Sequence, residues 1–219
     1  RHAAGDDLIR GIAARLQGVI PADAMIARLG GDEFGIVLLG DPALQAERVG
    51  GRLVAECTRN FDVLGAQVRV GASIGVAMRE TPQQRSHELL RRADLALYAA
   101  NNKGRNRVEM FIPAFDDSAR KRAEVEARLR IAMAHNTLTL AYQPIHDPRD
   151  ENPVGFEALL RWTDEQLGTI SPSIFVPVAE ETGMIIKIGD WVFKQTADFV
   201  LRWHQERLLL GASASDAYP

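Results

Sequence analysis

One stretch decides the fold of the first half of the chain: Arg28-Leu29-Gly30-Gly31-Asp32-Glu33-Phe34-Gly35-Ile36-Val37-Leu38. Two adjacent glycines between apolar runs are typical of a tight β-hairpin turn, because glycine accepts positive φ without steric cost. The hairpin then presents Asp32 and Glu33 at an exposed tip. Carboxylates beside open backbone amides suit a hard cation that carries phosphate oxygens. On spacing alone, the alternative is a solvated hairpin that carries two surface acids.

The string Gly30-Gly31-Asp32-Glu33-Phe34 resembles the signature of the GGDEF family, the diguanylate cyclases that join two GTP molecules into cyclic di-GMP. Two further segments are similar to that family. Residues 1–8 resemble its GHxxGDxxL segment, and residues 93–106 resemble its ADxALYxAKxxGRN motif. The resemblance implies an α/β (α+β) fold, a nucleotidyl-cyclase-like sheet flanked by helices, over residues 1–112.

The resemblance also assigns roles to the hairpin tip. Asp32 and Glu33 match catalytic residues that hold the metal, Mg²⁺ or Mn²⁺, while Gly30 and Gly31 leave space for the substrate. A further metal carboxylate is expected from a D-x-D-x-F-K segment that lies before residue 1 in the family.

Three more positions concern the nucleotide. Asp6 matches the aspartate that accepts hydrogen bonds from guanine, although capping of its helix is an equal alternative. Arg105 matches the arginine that holds the GTP phosphates. The family's lysine position is Asn101, which brings no charge, and Lys103 lies about 200° further around a helix. This departure puts efficient GTP turnover in doubt.

The second half of the chain carries the strings YQPI at 142–145, EALLRW at 157–162 and FVPVAEETG at 175–183. Together they resemble the opening of an EAL domain, the cyclic di-GMP phosphodiesterase, whose fold is a (β/α) barrel. Such a barrel needs roughly 250 residues. Only its first strands and helices are therefore expected, over residues 137–219.

Within that segment, Glu157 lies in an apolar run, where a buried carboxylate needs a partner, a metal or a proton. On the resemblance, Glu157 matches a ligand of the catalytic metal and Arg161 a contact to the dinucleotide phosphate. Parallel barrels place such residues at the C-terminal ends of their strands, so Glu157 is expected late in its strand.

Residues 113–136 read as a linker helix with dense mixed charge and a narrow apolar face at Val125, Leu129 and Ala132 or Met133. We expect a solvated connecting helix. Elsewhere, period-2 alternation predicts one strand over 68–76. A helix is predicted after it, with Ser86 as its N-terminal cap and Gly104 at its end. A final helix over 183–203 is predicted to pack through Ile188, Trp191, Val192, Phe199 and Trp203.

Composition limits the classes of function. The chain has 219 residues and a net charge of -3, so it offers no global attraction to nucleic acid or anionic lipid. Cys57, the single cysteine, lies in an amphipathic run, which indicates a small core residue. No stretch is long enough to cross a bilayer, so no membrane contact is expected within the chain. We expect a cytoplasmic fragment whose parent protein reaches any membrane through preceding segments.

The resulting hypothesis is that the parent protein makes cyclic di-GMP from GTP as a homodimer, whereas the fragment turns over slowly or not at all. One alternative is a cyclic di-GMP phosphodiesterase with a regulatory, GTP-binding GGDEF domain. The other is a non-catalytic cyclic di-GMP receptor or scaffold. Intact Asp32, Glu33 and Glu157 weigh against the receptor, because a receptor has no physical need of metal ligands.

Overall fold

The structure, a computed structural model, describes residues 2–40, 43–146 and 153–209. The chain divides into two compact units between Ala119 and Arg120, called unit 1 and unit 2 below. The domain limits predicted at residues 112 and 137 stay a prediction, and residues 210–219 of the predicted second domain lie outside the described residues. Within the described ranges, none of the helices combines the length and apolar character that a bilayer crossing requires.

Unit 1 alternates helices with short strands, which confirms the predicted mixture of the two. The elements in chain order are α1 (His2–Gln17), β1 (Met25–Gly30), β2 (Glu33–Val37), α2 (Ala43–Cys57), β3 (Phe61–Val63), β4 (Ala66–Val68), β5 (Ile74–Val76), α3 (Ser86–Asn102) and β6 (Val108–Met110). The strands pair two by two: β1 with β2 and β3 with β4 are antiparallel, whereas β5 with β6 is parallel.

The core of unit 1 lies between the first two helices and the strands. Its buried residues come from α1, α2 and the segment after α1, and they are Leu16, Val19, Val49, Leu53 and Cys57. Ile26, Phe34 and Ile36 of the first hairpin pack against this core. Burial raises the pKa of the Cys57 thiol, which agrees with the predicted role as a small core residue.

The prediction of one continuous strand over 68–76 is wrong. The chain forms β4 and β5 instead, and residues 69–73 between them have no strand structure. The two strands have different partners, β3 and β6. In the gap, the Asn106 side chain accepts a hydrogen bond from the Ala72 amide (3.3 Å), and the Asn106 amide donates to Ser73 Oγ (3.3 Å). Side-chain bonds therefore replace the backbone ladder there.

The sequence predicted that Ser86 caps α3 and that Gly104 ends it. Ser86 is the first residue of the helix and not its cap; Arg85 occupies the cap position and makes no side-chain capping bond. At the other end the prediction is confirmed, because Gly104 follows the helix with φ +104°, a conformation that favours glycine.

Gly75 in β5 lets the strand approach α3. A Cβ atom at this position would lie 2.1 Å from the Ala93 carbonyl oxygen and 2.2 Å from the Leu97 amide nitrogen. Both atoms belong to helix backbone, which cannot move aside as a flexible side chain can. Contact between the β5–β6 pair and α3 therefore requires glycine here.

Unit 2 contains a three-stranded antiparallel sheet covered on one face by helices. Its elements are the larger part of α4 (Ala114–His135), β7 (Leu138–His146), β8 (Pro153–Asp164), β9 (Gly168–Ile170), α5 (Pro172–Glu181) and α6 (Met184–Leu209). The strand order is β7-β8-β9, and the described residues form no closed barrel. Trp162 and Phe175 meet edge to face in the middle of the core, with ring centroids 5.5 Å apart.

Helix α4, predicted as a solvated linker, has one face buried in a core. The predicted face is correct, since Val125, Leu129 and Ala132 are buried, but they belong to the core of unit 2. The last helix packs largely as predicted: Phe199 stacks on Tyr142 with centroids 3.7 Å apart, and Trp203 meets Phe156 edge to face.

A partly buried ion pair ties α4 to the end of β8. Arg128 Nε donates to both carboxylate oxygens of Asp164 at 2.9 Å, and its Nη2 lies 2.8 Å from Oδ1. The Asp164 carboxylate also accepts from the amides of Gln166 (2.9 Å) and Leu167 (3.1 Å), which shapes the turn into β9. The hydrogen bonds from Arg128 hold the pKa of Asp164 below its ordinary value.

The first prediction concerns Gly75→Ala. The added methyl group must displace helix backbone, so we expect unit 1 to lose about 3 kcal/mol or more of unfolding free energy. Urea unfolding followed by far-UV circular dichroism measures the loss. Tryptophan fluorescence reports unit 2 alone, since Trp162, Trp191 and Trp203 all lie there, and it should not change.

The matched control is Gly51→Ala. Gly51 lies in α2, and a Cβ atom there would meet nothing within 4 Å. Alanine is the better helix former, so this variant should be as stable as the wild type or more so. An unchanged dichroism midpoint for Gly75→Ala would contradict the close approach of β5 and α3.

The second prediction concerns pH. Because the pKa of Asp164 is lowered by folding, its contribution is complete at neutral pH and is lost as the pH falls below about 4. Asp164→Asn should therefore lower the urea midpoint of unit 2 at pH 7, measured by tryptophan fluorescence. The difference from the wild type should shrink as the pH approaches 3.

The control for this experiment is Asp190→Asn, which removes an exposed carboxylate from α6 in the same unit. It should leave the midpoint unchanged at both pH values. An Asp164→Asn effect that is equally large at pH 3 and pH 7 would show that the ionised carboxylate is not the stabilising group.

Candidate functional site

The first hairpin of unit 1 ends in an exposed tip, defined here as the crest, residues 30–33. Gly30 pairs with Glu33, and Gly31 and Asp32 form the two-residue turn between them. Gly31 has φ +52°, the left-handed conformation that glycine adopts at low cost. Both carboxylates are exposed, as the sequence predicts. A Cβ atom at Gly30 or Gly31 would meet nothing within 4 Å, so the space beside the acids is open.

Arg28 fixes the crest. Its Nε and Nη2 atoms donate to the Gly31 carbonyl oxygen at 2.9 and 2.7 Å. Leu29, the next residue, is a bulge in the strand pairing, and its side chain lies against Gly35. The guanidinium thus holds the turn through the Gly31 carbonyl oxygen.

The donor set of the crest fits a hard divalent cation. Asp32 and Glu33 offer carboxylate oxygens in open space, and Mg²⁺ is usually bound through one or two carboxylates together with substrate phosphates. Among the described residues, no group of three or more His, Cys, Asp or Glu side chains is placed so that it could hold a metal ion. The crest therefore suits a metal that arrives with a phosphate ligand rather than a closed protein cage.

Asp6 lies on α1, which contributes Leu16 to the core that the hairpin packs against, and Arg105 lies in the turn after α3. Asp6 is exposed in the second turn of α1, four residues after the helix begins at His2. Capping of the helix by Asp6 is therefore excluded. Arg105 is exposed in the turn after α3, with φ +59°. The neighbouring Asn106 ties that turn to the start of β5.

At the position that the resemblance assigns to a phosphate-binding lysine, this chain has Asn101. Asn101 lies in the last turn of α3, and its carbonyl accepts a hydrogen bond from the Gly104 amide. Lys103 follows the helix, but its Nζ lies 2.7 Å from a carboxylate oxygen of Glu109. Lys103 is thus engaged in an ion pair and is no simple substitute.

In unit 2 the predicted residues lie on one face of the sheet. Glu157 is paired with Gln143 across β7 and β8, and Thr139 with Arg161, so all four side chains share a face. Each of them is exposed. The Arg161 Nη1 atom donates to the Leu160 carbonyl oxygen at 3.0 Å. We call this surface the polar sheet face.

Two expectations about Glu157 are wrong. It is the fifth residue of the twelve in β8 rather than a late one, because the strand extends to Asp164. It is also exposed, so water already solvates the carboxylate and no buried partner is required. The pairing of β7, β8 and β9 is antiparallel, so the rule for parallel barrel strands does not apply to these residues.

The sequence analysis did not predict the hydrogen bonds that Arg28 and Arg15 make. Arg28 belongs to the quoted stretch, and its spacing from Gly31 is short enough to have indicated a bond across the turn. Arg15 donates to carbonyl oxygens more than 40 residues away along the chain, which no local pattern reveals.

Two sequence-family models match the chain. The family described as "Diguanylate cyclase, GGDEF domain" matches residues 2–107, and the family described as "EAL domain" matches residues 126–216.

Curated relatives cover nearly the whole chain. The bifunctional diguanylate cyclase/cyclic di-GMP phosphodiesterase MucR of Pseudomonas aeruginosa is 35% identical over 202 residues, 92% of this chain and 30% of MucR. The biofilm architecture maintenance protein MbaA of Vibrio cholerae is 33% identical over 203 residues, 89% of this chain and 26% of MbaA. The chain thus spans less than a third of the length of either relative.

Among solved structures, the GGDEF domain of YfiN (TpbB) from Pseudomonas aeruginosa is similar to this chain with a TM-score of 0.51 and 28% identity. The match covers 54% of this chain and 70% of that one. Together with the two family matches and the arrangement of the crest, it shows that the chain belongs to the GGDEF–EAL family, with a GGDEF segment followed by an EAL segment.

Proposed function

We propose that unit 1 binds GTP at the crest and serves the synthesis of cyclic di-GMP. The observation that supports this proposal best is the open space at Gly30 and Gly31 beside the exposed carboxylates of Asp32 and Glu33. The family matched by residues 2–107 is described as diguanylate cyclase, and MucR carries that activity in its name.

The reaction joins two GTP molecules. Each 3′-hydroxyl loses its proton and forms a bond to the α-phosphorus of the other nucleotide, while the bond to the β-phosphate breaks. The products are one cyclic di-GMP and two diphosphates. Because one crest serves one nucleotide, two copies of the chain must meet, and we propose a homodimer as the acting form. GTP is an intracellular nucleotide, so we propose that the activity is cytoplasmic.

The crest residues have complementary roles in this proposal. Asp32 and Glu33 would hold Mg²⁺ or Mn²⁺, which offsets negative charge on the phosphate groups when it is bound. Gly30 and Gly31 allow the phosphates to approach the backbone. Arg28 keeps the turn in one conformation through its two bonds to the Gly31 carbonyl oxygen.

Asp6 and Arg105 act on the two ends of the nucleotide. An exposed carboxylate at Asp6 can accept hydrogen bonds from the N–H donors of guanine. Arg105 can donate paired hydrogen bonds to phosphate oxygens. Asn101 adds no charge where the family has lysine, and Lys103 is paired with Glu109, so we propose that turnover is slow relative to binding.

The third prediction is that fluorescently labelled GTP binds to the chain more tightly with Mg²⁺ and that EDTA removes this metal-dependent part of the affinity. Asp32→Asn removes a charged metal ligand and should weaken binding about tenfold or more. Gly30→Val should also weaken it, because the side chain fills the open space while a β-branched residue suits a strand. Fluorescence anisotropy measures both.

Glu47→Gln is the matched control, since it removes an exposed carboxylate from α2 of the same unit. It should bind GTP like the wild type. If EDTA and Asp32→Asn both leave the affinity unchanged, the crest is not the nucleotide site.

A second candidate function concerns unit 2. The polar sheet face carries Glu157, Arg161 and Gln143 side by side in solvent, an arrangement that offers one anionic ligand for a cation and one guanidinium for a phosphate. MucR is named as a phosphodiesterase as well as a cyclase. We therefore also propose that this face contributes to the binding and hydrolysis of cyclic di-GMP in the whole protein.

The fourth prediction tests that candidate by calorimetric titration of cyclic di-GMP in the presence of Mg²⁺. Arg161→Gln should weaken binding about tenfold, because it removes a charge-assisted contact to phosphate. Glu157→Gln should abolish the part of the affinity that depends on Mg²⁺. Lys187→Gln, a charge change on exposed α6 surface, is the control. Binding that is indifferent to Arg161 and Glu157 would remove this face from the site.

A further inference from the structure

An arginine-lined cleft lies in unit 1 among residues that neither proposed site uses. It has a volume of about 640 Å³, and the residues that line it are Arg15, Thr58, Arg59, Asn60 and Arg69. Small-molecule sites commonly have volumes of about 300–1,000 Å³. The residues come from α1, from the segment between α2 and β3, and from the segment after β4.

Arg15 is held in place by neutral partners. Its Nη1 atom donates to the carbonyl oxygens of Glu56 and Arg59, and its Nη2 atom to that of Asn60, each at 2.9 Å. The guanidinium also lies over the Phe61 ring, 3.6 Å from its centroid. Carbonyl oxygens carry no net charge, so Arg15 is fixed in orientation while its positive charge is not cancelled.

The other two arginines add to this charge. Arg59 is paired with the Glu56 carboxylate, 3.0 Å from Nη1 to Oε2. Within the described ranges no ion pair is seen for Arg15 or Arg69, and the Arg69 side chain is exposed in the wall of the cleft. The cleft lining thus carries three guanidinium groups, of which Arg59 is paired with a carboxylate. This local excess contrasts with the net charge of -3 of the whole chain.

The lining indicates which part of a ligand is recognised. Guanidinium groups bind phosphate oxygens through paired, charge-assisted hydrogen bonds. The lining contains no aromatic side chain on which a base could stack, since Phe61 is buried and Arg15 covers its ring. A nucleic-acid backbone is bound by an extended basic track rather than by one cleft. A small phosphorylated molecule is the better fit.

We propose that this cleft is a binding site for small molecules carrying two or more phosphoryl groups, recognised by those groups and not by a base. Inorganic diphosphate and the diphosphate of a nucleotide share this chemistry. The site is independent of the crest, because the crest residues do not line it.

The fifth prediction uses isothermal titration of diphosphate into the whole chain at low salt with EDTA present, so that metal at the crest plays no part. Diphosphate and GDP should bind with similar affinity, and guanosine should not bind. Backbone NMR should show the largest shifts at the amides of residues 58–60. Binding of guanosine, or absence of diphosphate binding, would overturn the proposal.

Arg69→Gln tests the site itself. It removes an exposed guanidinium and should weaken diphosphate binding about tenfold. Arg48→Gln removes the same charge from exposed α2 surface outside the cleft and should have little effect. Equal weakening by both variants would mean attraction to net charge alone and would refute a defined site.

Asp32→Asn separates this proposal from the proposed cyclase function. It should weaken metal-dependent GTP binding about tenfold or more and leave diphosphate binding in EDTA unchanged. If diphosphate binding falls with Asp32→Asn, the phosphate site is the crest and not the arginine-lined cleft.

Discussion

The alternation of side chains along β1 and β2 is the constraint on which the crest depends. Ile26, Phe34 and Ile36 pack against the core of unit 1, so the register of the hairpin is fixed by burial. A shift of one residue would move these side chains into solvent. The bulge at Leu29 takes up the odd residue, and the turn then falls at Gly31 and Asp32. Packing below the tip therefore determines where the two carboxylates stand.

The features that sequence predicted well are those that neighbouring residues determine. A glycine pair between alternating apolar residues is sufficient to indicate the hairpin, and the stripe of Val125, Leu129 and Ala132 indicates the buried face of α4. Sequence could not show which core that face joins, because this depends on residues far along the chain. The strand expected over 68–76 failed for the same reason: its alternation is real, but β4 and β5 have different partners.

The predictions for the two candidate sites also differ in how well they agree with the structure. Exposure of Asp32 and Glu33 follows from the turn and was predicted correctly, whereas the surroundings of Glu157 were predicted wrongly. An apolar run suggested burial, yet an antiparallel strand with one covered face exposes every second residue. Glu157 and Arg161 fall on the open side, while Trp162 and Asp164 fall on the buried side. Period-2 reasoning applied to β8 as a half-buried strand would have recovered this arrangement.

Two arginines illustrate how the same side chain can serve structure or binding. Arg128 meets the carboxylate of Asp164, which cancels the charge at short range and joins α4 to β8. Arg15 meets three carbonyl oxygens, which fix its orientation and leave its charge available to an anion. The Asp164 carboxylate is buried, so this ion pair acts within the fold. A guanidinium that neutral groups hold at the wall of an open cleft acts on whatever enters it. The identity of the partner, rather than the number of hydrogen bonds, decides which of the two arginines can recognise a ligand.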